Sequence, residues 1–375
     1  MIVELFVAIF SKIIIYFIFP IAILWLMKEL TMGICRSQTS LKGKVVLITG
    51  GHQGIGLEVV LALLKRQAKV IIGCQNVTNV KEKILLLVPD ADVDVMWLDL
   101  SSKDRILHFS KEIKSRYYKI DILINNADFI PKKTGTGENG GRRSGAFAKG
   151  GRTKTADGFE LAMGENYFGH VLLNHLLLPI MKHPKESLQN INGDSESTFE
   201  DLKVKANQSS FCPRIIIMST PLACTPMANH LFQNNDIQFE DMIKKPLIQY
   251  SKSKLAQLMY LKHLSVILRE ENSNVTIMAS YSGLVFDSFK DYVPLRYHKV
   301  FNLFLSLFEK NDWQASQTCV HLSTKNFSNN IDQVNGKLFV DCRQNDWLMP
   351  SYVKNQNACK KLWDKTEEML GCKNL

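Results

Sequence analysis

Val45-Val46-Leu47-Ile48-Thr49-Gly50-Gly51-His52-Gln53-Gly54-Ile55-Gly56 is the stretch on which the fold turns. The four leading apolar residues read as a buried strand, the glycines as a tight turn, and residues 57–64 as a helix built of good helix formers. Strand, glycine turn and helix open a dinucleotide-binding βαβ unit. One glycine permits the turn, one lets a pyrophosphate approach the backbone, and one lets helix and strand pack closely. The helix N-terminus then offers free N–H groups and the positive end of its dipole to phosphate.

Outward from this stretch, short apolar strands alternate with helical segments. Residues 69–73, 93–97, 120–124, 214–218, 275–279 and 337–340 read as six further strands. Near-continuous apolar strands between helices predict a parallel sheet covered on both faces. Right-handed crossovers then give an α/β, doubly wound, seven-stranded Rossmann-type fold. Two segments interrupt the pattern as flexible insertions, 131–156 and 184–211. The first carries Lys132, Lys133, Arg142, Arg143, Lys149, Arg152 and Lys154 against Glu138. Phe147 is its only aromatic residue, so it reads as a solvated basic loop rather than a single-strand nucleic-acid site.

The chain has 375 residues, 46% of them hydrophobic, and a net charge of +10, which suits anionic ligands or an anionic membrane surface. Its eight cysteines form no CxxC pair and no zinc-ligand spacing with histidine, which fits a reduced, cytosol-facing chain without a metal site. Residues 5–27 are apolar apart from Ser11 and Lys12, about the length a membrane helix needs. Lys28, Arg36, Lys42 and Lys44 follow this run and only Glu4 precedes it, so the positive-inside rule puts the body in the cytosol. A monotopic anchor on one leaflet is the alternative. The domain reading is an anchor over 1–30, a catalytic domain over 43–345 and an amphipathic C-terminal tail over 346–375.

Tyr250-Ser251-Lys252-Ser253-Lys254 opens a long apolar-periodic segment running to about residue 268. Four residues apart on a helix, Tyr250 and Lys254 share one face. A phenol normally titrates near pH ~10, and a nearby ammonium favours its ionised form. Such a tyrosine can move a proton to or from an alcohol.

Taken in order, these motifs make the chain resemble a classical short-chain dehydrogenase/reductase, most similar to the membrane-anchored retinol dehydrogenase-like group. Thr49 to Gly56 fits the family's TGxxxGIG. Asn125-Asn126-Ala127 fits NNAG up to its last residue. Asp157-Gly158-Phe159-Glu160, followed by Asn166-Tyr167-Phe168-Gly169-His170, fits the run typical of this subgroup, and Tyr250 with Lys254 fits YxxxK. The resemblance implies that Tyr250 is the acid/base, that Lys254 binds the nicotinamide ribose and tunes Tyr250, and that Asn166 holds a water in the proton relay. Thr220 takes the place of the usual serine, with Ser219 as its substitute if the register shifts. Cofactor binding falls by the same resemblance to Gly50, Gln53, Gly54, Ile55, Gly56, Gln75, Asp99, Leu100, Asn126 and Ala127, together with Tyr250 and Lys254. Asp99 is the adenine-contacting acid of that set.

Several positions depart from the family pattern. Asp128 stands where NNAG has glycine, adding bulk and negative charge beside the cofactor. Ser282-Gly283 replaces Pro-Gly, and Asp287 sits near the place of a threonine that contacts the carboxamide. Cys74 and Gln75 occupy the end of the second strand, where an acid would select NAD, so NADP(H) is favoured modestly over NAD(H). Residues 286–308 would form the substrate lid, unusually apolar at 300–308. The reading is a membrane-anchored oxidoreductase, by resemblance in the endoplasmic reticulum. It would pass a hydride between NAD(P) and a hydrophobic alcohol or carbonyl of the retinoid, steroid or polyprenoid class. The alternative is a noncatalytic dinucleotide-binding partner protein on the same fold. Nucleic acid is not an expected partner, and homo-oligomerisation is left open.

Overall fold

The computed structural model describes residues 32–130, 154–183, 211–233, 236–237, 239, 246–283 and 309–372, with isolated positions between 12 and 26. Most of the expected anchor, most of both insertions, the expected lid and Asp287 lie outside the described residues. Among the described residues, no helix is long and apolar enough to cross a membrane.

The main-sheet strands are β1 (Val45–Thr49), β2 (Lys69–Cys74), β3 (Val93–Trp97), β4 (Ile122–Asn125), β5 (Arg214–Ser219), β6 (Thr276–Tyr281), β7 (Lys337–Val340) and β8 (Arg343–Gln344). The helices that cover them are α1 (Gly54–Leu64), α2 (Val80–Leu87), α3 (Lys103–Arg116), α4 (Gly169–Lys182), α5 (Pro246–Glu270), α6 (Asp312–Thr324) and α7 (Gln356–Leu370). The sheet runs β8-β7-β6-β5-β4-β1-β2-β3. It has eight strands rather than seven. The first seven in the chain are parallel, and β8 adds a two-residue antiparallel edge on β7. So short a strand has no period of its own to read, and it forms because the chain turns straight back from β7.

Strand alternation divides the core into two layers. Val45 and Leu47 of β1, Leu123 of β4 and Ile215 of β5 face one layer, which α3, α4, α5 and α7 cover. Val46, Ile48, Ile122 and Ile216 face the other, which α1, α2 and α6 cover. Both faces are therefore buried, which explains why the strands read as unbroken apolar runs. The tail packs on the body: the Trp363 ring of α7 stacks on Tyr260 of α5 with centroids 5.5 Å apart. Its amphipathic stretch is broken at Asn355, whose side chain accepts from the Ala358 N–H at 3.2 Å and caps α7.

The strand order reverses between β1 and β4, the place where open α/β sheets bind ligands at their strand C-termini. Thr49-Gly50 and Asn125-Asn126 end at that crevice. A π-helical turn, Met163–Phe168, precedes α4 and carries Asn166. Such turns insert one extra residue into a helix and occur often at functional sites. The sequence pattern did not anticipate it.

Candidate active site

The glycine turn is built for a close approach. Gly50 has a positive φ of 68°, and a Cβ there would meet the Ala127 backbone at 2.9 Å. A Cβ at Gly56 would lie 2.4 Å from the Asn126 amide nitrogen and 2.7 Å from the Gly50 carbonyl oxygen. Gln53 caps α1 without a side-chain hydrogen bond, and the first turn, which holds Ile55, carries no acid. The N-terminal N–H groups of α1 therefore have no side-chain cap and could take an anion.

Asn126 braces this turn. Its Nδ2 donates to the Thr49 carbonyl at 3.0 Å and to that of Gly50 at 3.2 Å. The Thr49 hydroxyl accepts from the Asn126 and Ala127 N–H groups at 3.0 and 2.9 Å. It also meets His170 Nε2 at 3.0 Å, and His170 Nδ1 lies 3.0 Å from the Asn166 carbonyl. Burial pushes the imidazole down to about 4, so it is neutral at physiological pH. Since a carbonyl can only accept, Nδ1 carries the proton and Nε2 accepts from Thr49. His170 is thereby a buried link between the glycine turn and the π turn.

The polar start of α5 is buried. Tyr250 and Lys254 are each 3% exposed and Ser251, Lys252 and Ser253 are 0% exposed, unlike the solvated face of an ordinary helix start. Both motif residues converge on Asp128. The Tyr250 hydroxyl donates to Oδ2 at 2.6 Å, and Lys254 Nζ pairs with Oδ1 at 3.0 Å. Lys254 also donates to the Met218 carbonyl at the end of β5, at 3.3 Å. Asp128 directly follows Ala127, so the acid/base pair and the glycine turn meet through three consecutive residues, Asn126-Ala127-Asp128. Burial, then the Asp128 charge and hydrogen bond, holds the Tyr250 phenol well above its ordinary value.

Asn166 is engaged at every polar group. Its Oδ1 accepts from the Phe129 N–H at 2.7 Å, and its Nδ2 donates to the Phe129 carbonyl at 2.9 Å and to Ser253 Oγ at 3.1 Å. Its own carbonyl accepts from Gln257 Nε2 at 2.5 Å as well as facing His170. Ser253 and Gln257 lie three and seven residues after Tyr250, on the same face of α5, a spacing that the sequence reading left unused. Ser219 ends β5 in register with Tyr281, and Thr220 follows the strand. Both are buried, and neither is hydrogen-bonded to Tyr250 among the described residues. Ser219 remains within the strand pairing, and Thr220 is the first residue beyond it.

At the adenosine end, Gln75 Nε2 donates to Asp99 Oδ1 at 3.0 Å. The Ser101 N–H and hydroxyl donate to the same oxygen at 2.9 and 2.7 Å. Oδ2 carries no hydrogen bond from the described residues and stays open to a donor such as an adenine amine. Leu100 is buried beside it, its carbonyl 2.4 Å from where a Gly169 Cβ would stand. The first basic side chain after β2, Lys81, pairs with Asp94 at 3.6 Å. Glu165, one residue before Asn166, is a further acid in the cleft. Burial, then the charges of Asp99, Asp128 and Glu160, pushes its carboxyl up to about 8. The cradle at Gly50 and Gly56, the uncapped α1 and the open Asp99 oxygen fit a dinucleotide, and Asp128 is turned to Tyr250 and Lys254 beside it.

Residues 44–193 match the family model described as short chain dehydrogenase. The mouse protein "Retinol dehydrogenase 14" is 29% identical over 348 residues, covering 88% of this chain and 86% of that protein. Human "Retinol dehydrogenase 11" is 28% identical over 353 residues, covering 92% and 91%. These matches support the short-chain dehydrogenase/reductase superfamily, and within it the chain is similar to the retinol dehydrogenase-like group. Among solved structures, the Pseudomonas aeruginosa RhlG/NADP active-site complex superposes with a TM-score of 0.53 at 16% identity, covering 80% of this chain and 95% of that one. An uncharacterised protein from Mycobacterium paratuberculosis gives a TM-score of 0.55 at 19% identity, covering 91% and 98%. These two establish the fold alone. The family-model and retinol dehydrogenase matches support an NAD(P)-dependent oxidoreductase acting on alcohol and carbonyl groups.

Proposed function

We propose that the chain is a membrane-anchored enzyme that interconverts a hydrophobic alcohol and its carbonyl, of the retinoid, steroid or polyprenoid class. The observation that carries this reading is the junction of Tyr250 and Lys254 with the glycine turn through Asn126-Ala127-Asp128. The dinucleotide, when bound, accepts or supplies the hydride. The chain's own residues do the rest. The glycine turn and α1 bind phosphate, Asp99 takes an adenine donor, Lys254 holds the inner ribose and Tyr250 exchanges a proton with the substrate oxygen. Thr220, at the end of β5, donates to that oxygen. The names of the relatives, retinol dehydrogenases, support a hydrophobic substrate. The apolar run 5–27 supports an anchor with the catalytic domain, 43–345, in the cytosol, and the family resemblance supports the endoplasmic reticulum. NADP(H) over NAD(H) rests on the missing acid at the end of β2.

The second reading, a noncatalytic dinucleotide-binding protein, is favoured by Thr220 in place of the usual serine and by Asp128, whose carboxylate takes the Tyr250 hydroxyl and one donor of Lys254. Turnover by the purified full chain in detergent distinguishes the two. The assay offers NADP(H) and NAD(H) with retinoid, steroid and polyprenoid alcohols and carbonyls. Turnover of one pair supports the enzyme; dinucleotide binding with no turnover across the panel supports the second reading.

A further inference from the structure

We propose that Asp128 is a proton-relay residue: its carboxylate takes the Tyr250 proton as Tyr250 takes the proton of the substrate alcohol. The inference rests on the oxidoreductase reading and adds a residue to its machinery. Three observations carry it. First, one carboxylate bridges the pair, with Oδ2 2.6 Å from the phenol and Oδ1 3.0 Å from the ammonium. A short hydrogen bond from a buried phenol to a carboxylate is already the path a proton would take. Lys254 orients the carboxylate so that Oδ2 is the oxygen turned to Tyr250. Second, the water-holding role that the resemblance gives to Asn166 has no free group to serve it. Its carbonyl already meets Gln257 and His170, and its amide meets Phe129 and Ser253. A carbonyl has two lone pairs, and both are used. Third, the Asp128 side chain is 29% exposed, whereas Lys254 is 3% exposed, so Asp128 is the member of the trio with a route to solvent.

The step balances. In the oxidising direction, the carbinol carbon loses its hydrogen with the bonding pair to the nicotinamide ring, and the substrate O–H bond breaks. The substrate proton goes to Tyr250 Oη while the phenol proton goes to Asp128 Oδ2, which then releases it to water. The sum is alcohol plus oxidised dinucleotide giving carbonyl, reduced dinucleotide and one proton. A phenol held protonated by its surroundings cannot begin as a phenolate base, so oxidation needs an acceptor behind it. Reduction runs the same path backwards. Among the described residues, the titratable groups facing Asp128 are Tyr250 and Lys254 from α5 and Glu165 from the π turn.

The test uses the full chain in detergent as wild type, Asp128→Asn, Asp128→Gly and Tyr250→Phe. Asparagine keeps the size and the hydrogen-bond acceptor but cannot take the proton; glycine leaves room for added formate. The substrates are all-trans-retinol, a hydroxysteroid and a long-chain polyprenol. The relay predicts kcat lowered by about 10²-fold in both Asp128 variants, within the range for a positioned acid/base. It also predicts loss of the acid limb of the kcat–pH profile and recovery of Asp128→Gly by formate. Undiminished or faster turnover in both variants would overturn it and make Asp128 a plug over the ribose site. An activity-independent arm follows tyrosinate absorbance, with Tyr250→Phe subtracted: Asp128→Asn should lower the pH at which Tyr250 ionises. An unmoved titration overturns the coupling itself. Intact coupling with no turnover in any form overturns the oxidoreductase reading and the relay together, whereas wild-type turnover with an unaltered Asp128→Asn profile overturns the relay alone.

Discussion

Glu165→Gln should stabilise the protein, and by an amount that grows with pH. The side chain lies in the π turn, largely buried, with Asp99, Asp128 and Glu160 as electrostatic neighbours. Its carboxyl is pushed from an ordinary value of 4.5 up to about 8. Between those values the folded chain keeps a proton that the unfolded chain has released. Stability is therefore full below pH ~4.5 and declines as pH rises towards and through ~8. The interval from 4.5 to about 8, at about 1.4 kcal/mol per pH unit, amounts to about 5 kcal/mol above pH 8 and about 3 kcal/mol at pH 7. Glutamine has nearly the same shape and no proton to lose, so it should match wild type at pH 4.5 and exceed it increasingly above. Urea unfolding of the full chain in detergent, followed by tryptophan fluorescence at several pH values, reads the difference directly. Wild-type and variant curves that stay parallel from pH 5 to 9 would refute the placement of Glu165 among those acids. The same ionisation adds a negative charge to a cleft meant for a pyrophosphate, so wild-type dinucleotide affinity should fall above pH ~8 and that of Glu165→Gln should not.

Tyr250→Phe removes only a hydroxyl and should cost about 10²–10⁴-fold in turnover with little change in dinucleotide affinity, whereas Lys254→Met should damage both; kinetics and calorimetry side by side decide, and full activity in Tyr250→Phe rules out the mechanism. Asp128→Gly removes bulk beside the cofactor and frees the Lys254 ammonium for the ribose, so it should tighten dinucleotide binding severalfold; calorimetry showing equal or weaker binding removes that argument. Gln75→Arg should raise the ratio of kcat/KM for NADP(H) over NAD(H), because a guanidinium can pair with the 2′-phosphate that Gln75 cannot neutralise; a ratio that stays put means position 75 does not face the ribose.

The parts of this fold that were legible in the sequence are those with a local cause. β1 was readable because both of its faces are buried, and β7 because its apolar residues form a short run beside a polar end, whereas β3 is an edge strand whose apolar residues are interrupted by Asp94. The glycine turn was readable because Gly50 and Gly56 have no room for a side chain, a constraint that leaves its mark on residue type. What escaped was set by contacts distant in the chain. Nothing local to Met163–Phe168 announces a π turn, and it is held by Gln257, His170 and Phe129 acting on Asn166. His170 stood in a quoted motif, yet its role as neutral link follows only from the meeting of its two nitrogens with Thr49 and the Asn166 carbonyl. Asp128 was legible as a departure from a pattern, but the direction of its side chain was not. A carboxylate one residue after Ala127 could have faced solvent or phosphate. It faces Tyr250 and Lys254, 122 residues away in sequence in the case of the tyrosine.

That placement bears on how a cleft holding Asp99, Asp128 and Glu165 can still receive an anionic ligand. Each acid is managed differently. Asp99 spends one oxygen on Gln75 and Ser101, leaving the other for a donor. Glu165 is kept neutral at physiological pH by burial and by its acidic neighbours. Asp128 is paired with the Lys254 ammonium, so its charge is largely cancelled where it stands. The cancellation has a consequence for Lys254: a cation that would otherwise meet the ribose alone arrives already bound to a carboxylate. Any ligand that engages Lys254 must either share it with Asp128 or displace Asp128 towards solvent, the side on which it is exposed. If the carboxylate is shared, the ribose hydroxyls become donors to Asp128 as well as to Lys254, and binding should be insensitive to Asp128→Asn. If it is displaced, the Tyr250 hydrogen bond breaks with it, and binding should tighten in that variant. Dinucleotide affinity of Asp128→Asn therefore separates the two arrangements, while tyrosinate absorbance on the same sample, expected to shift in both, confirms that the Asp128 charge has been removed from Tyr250.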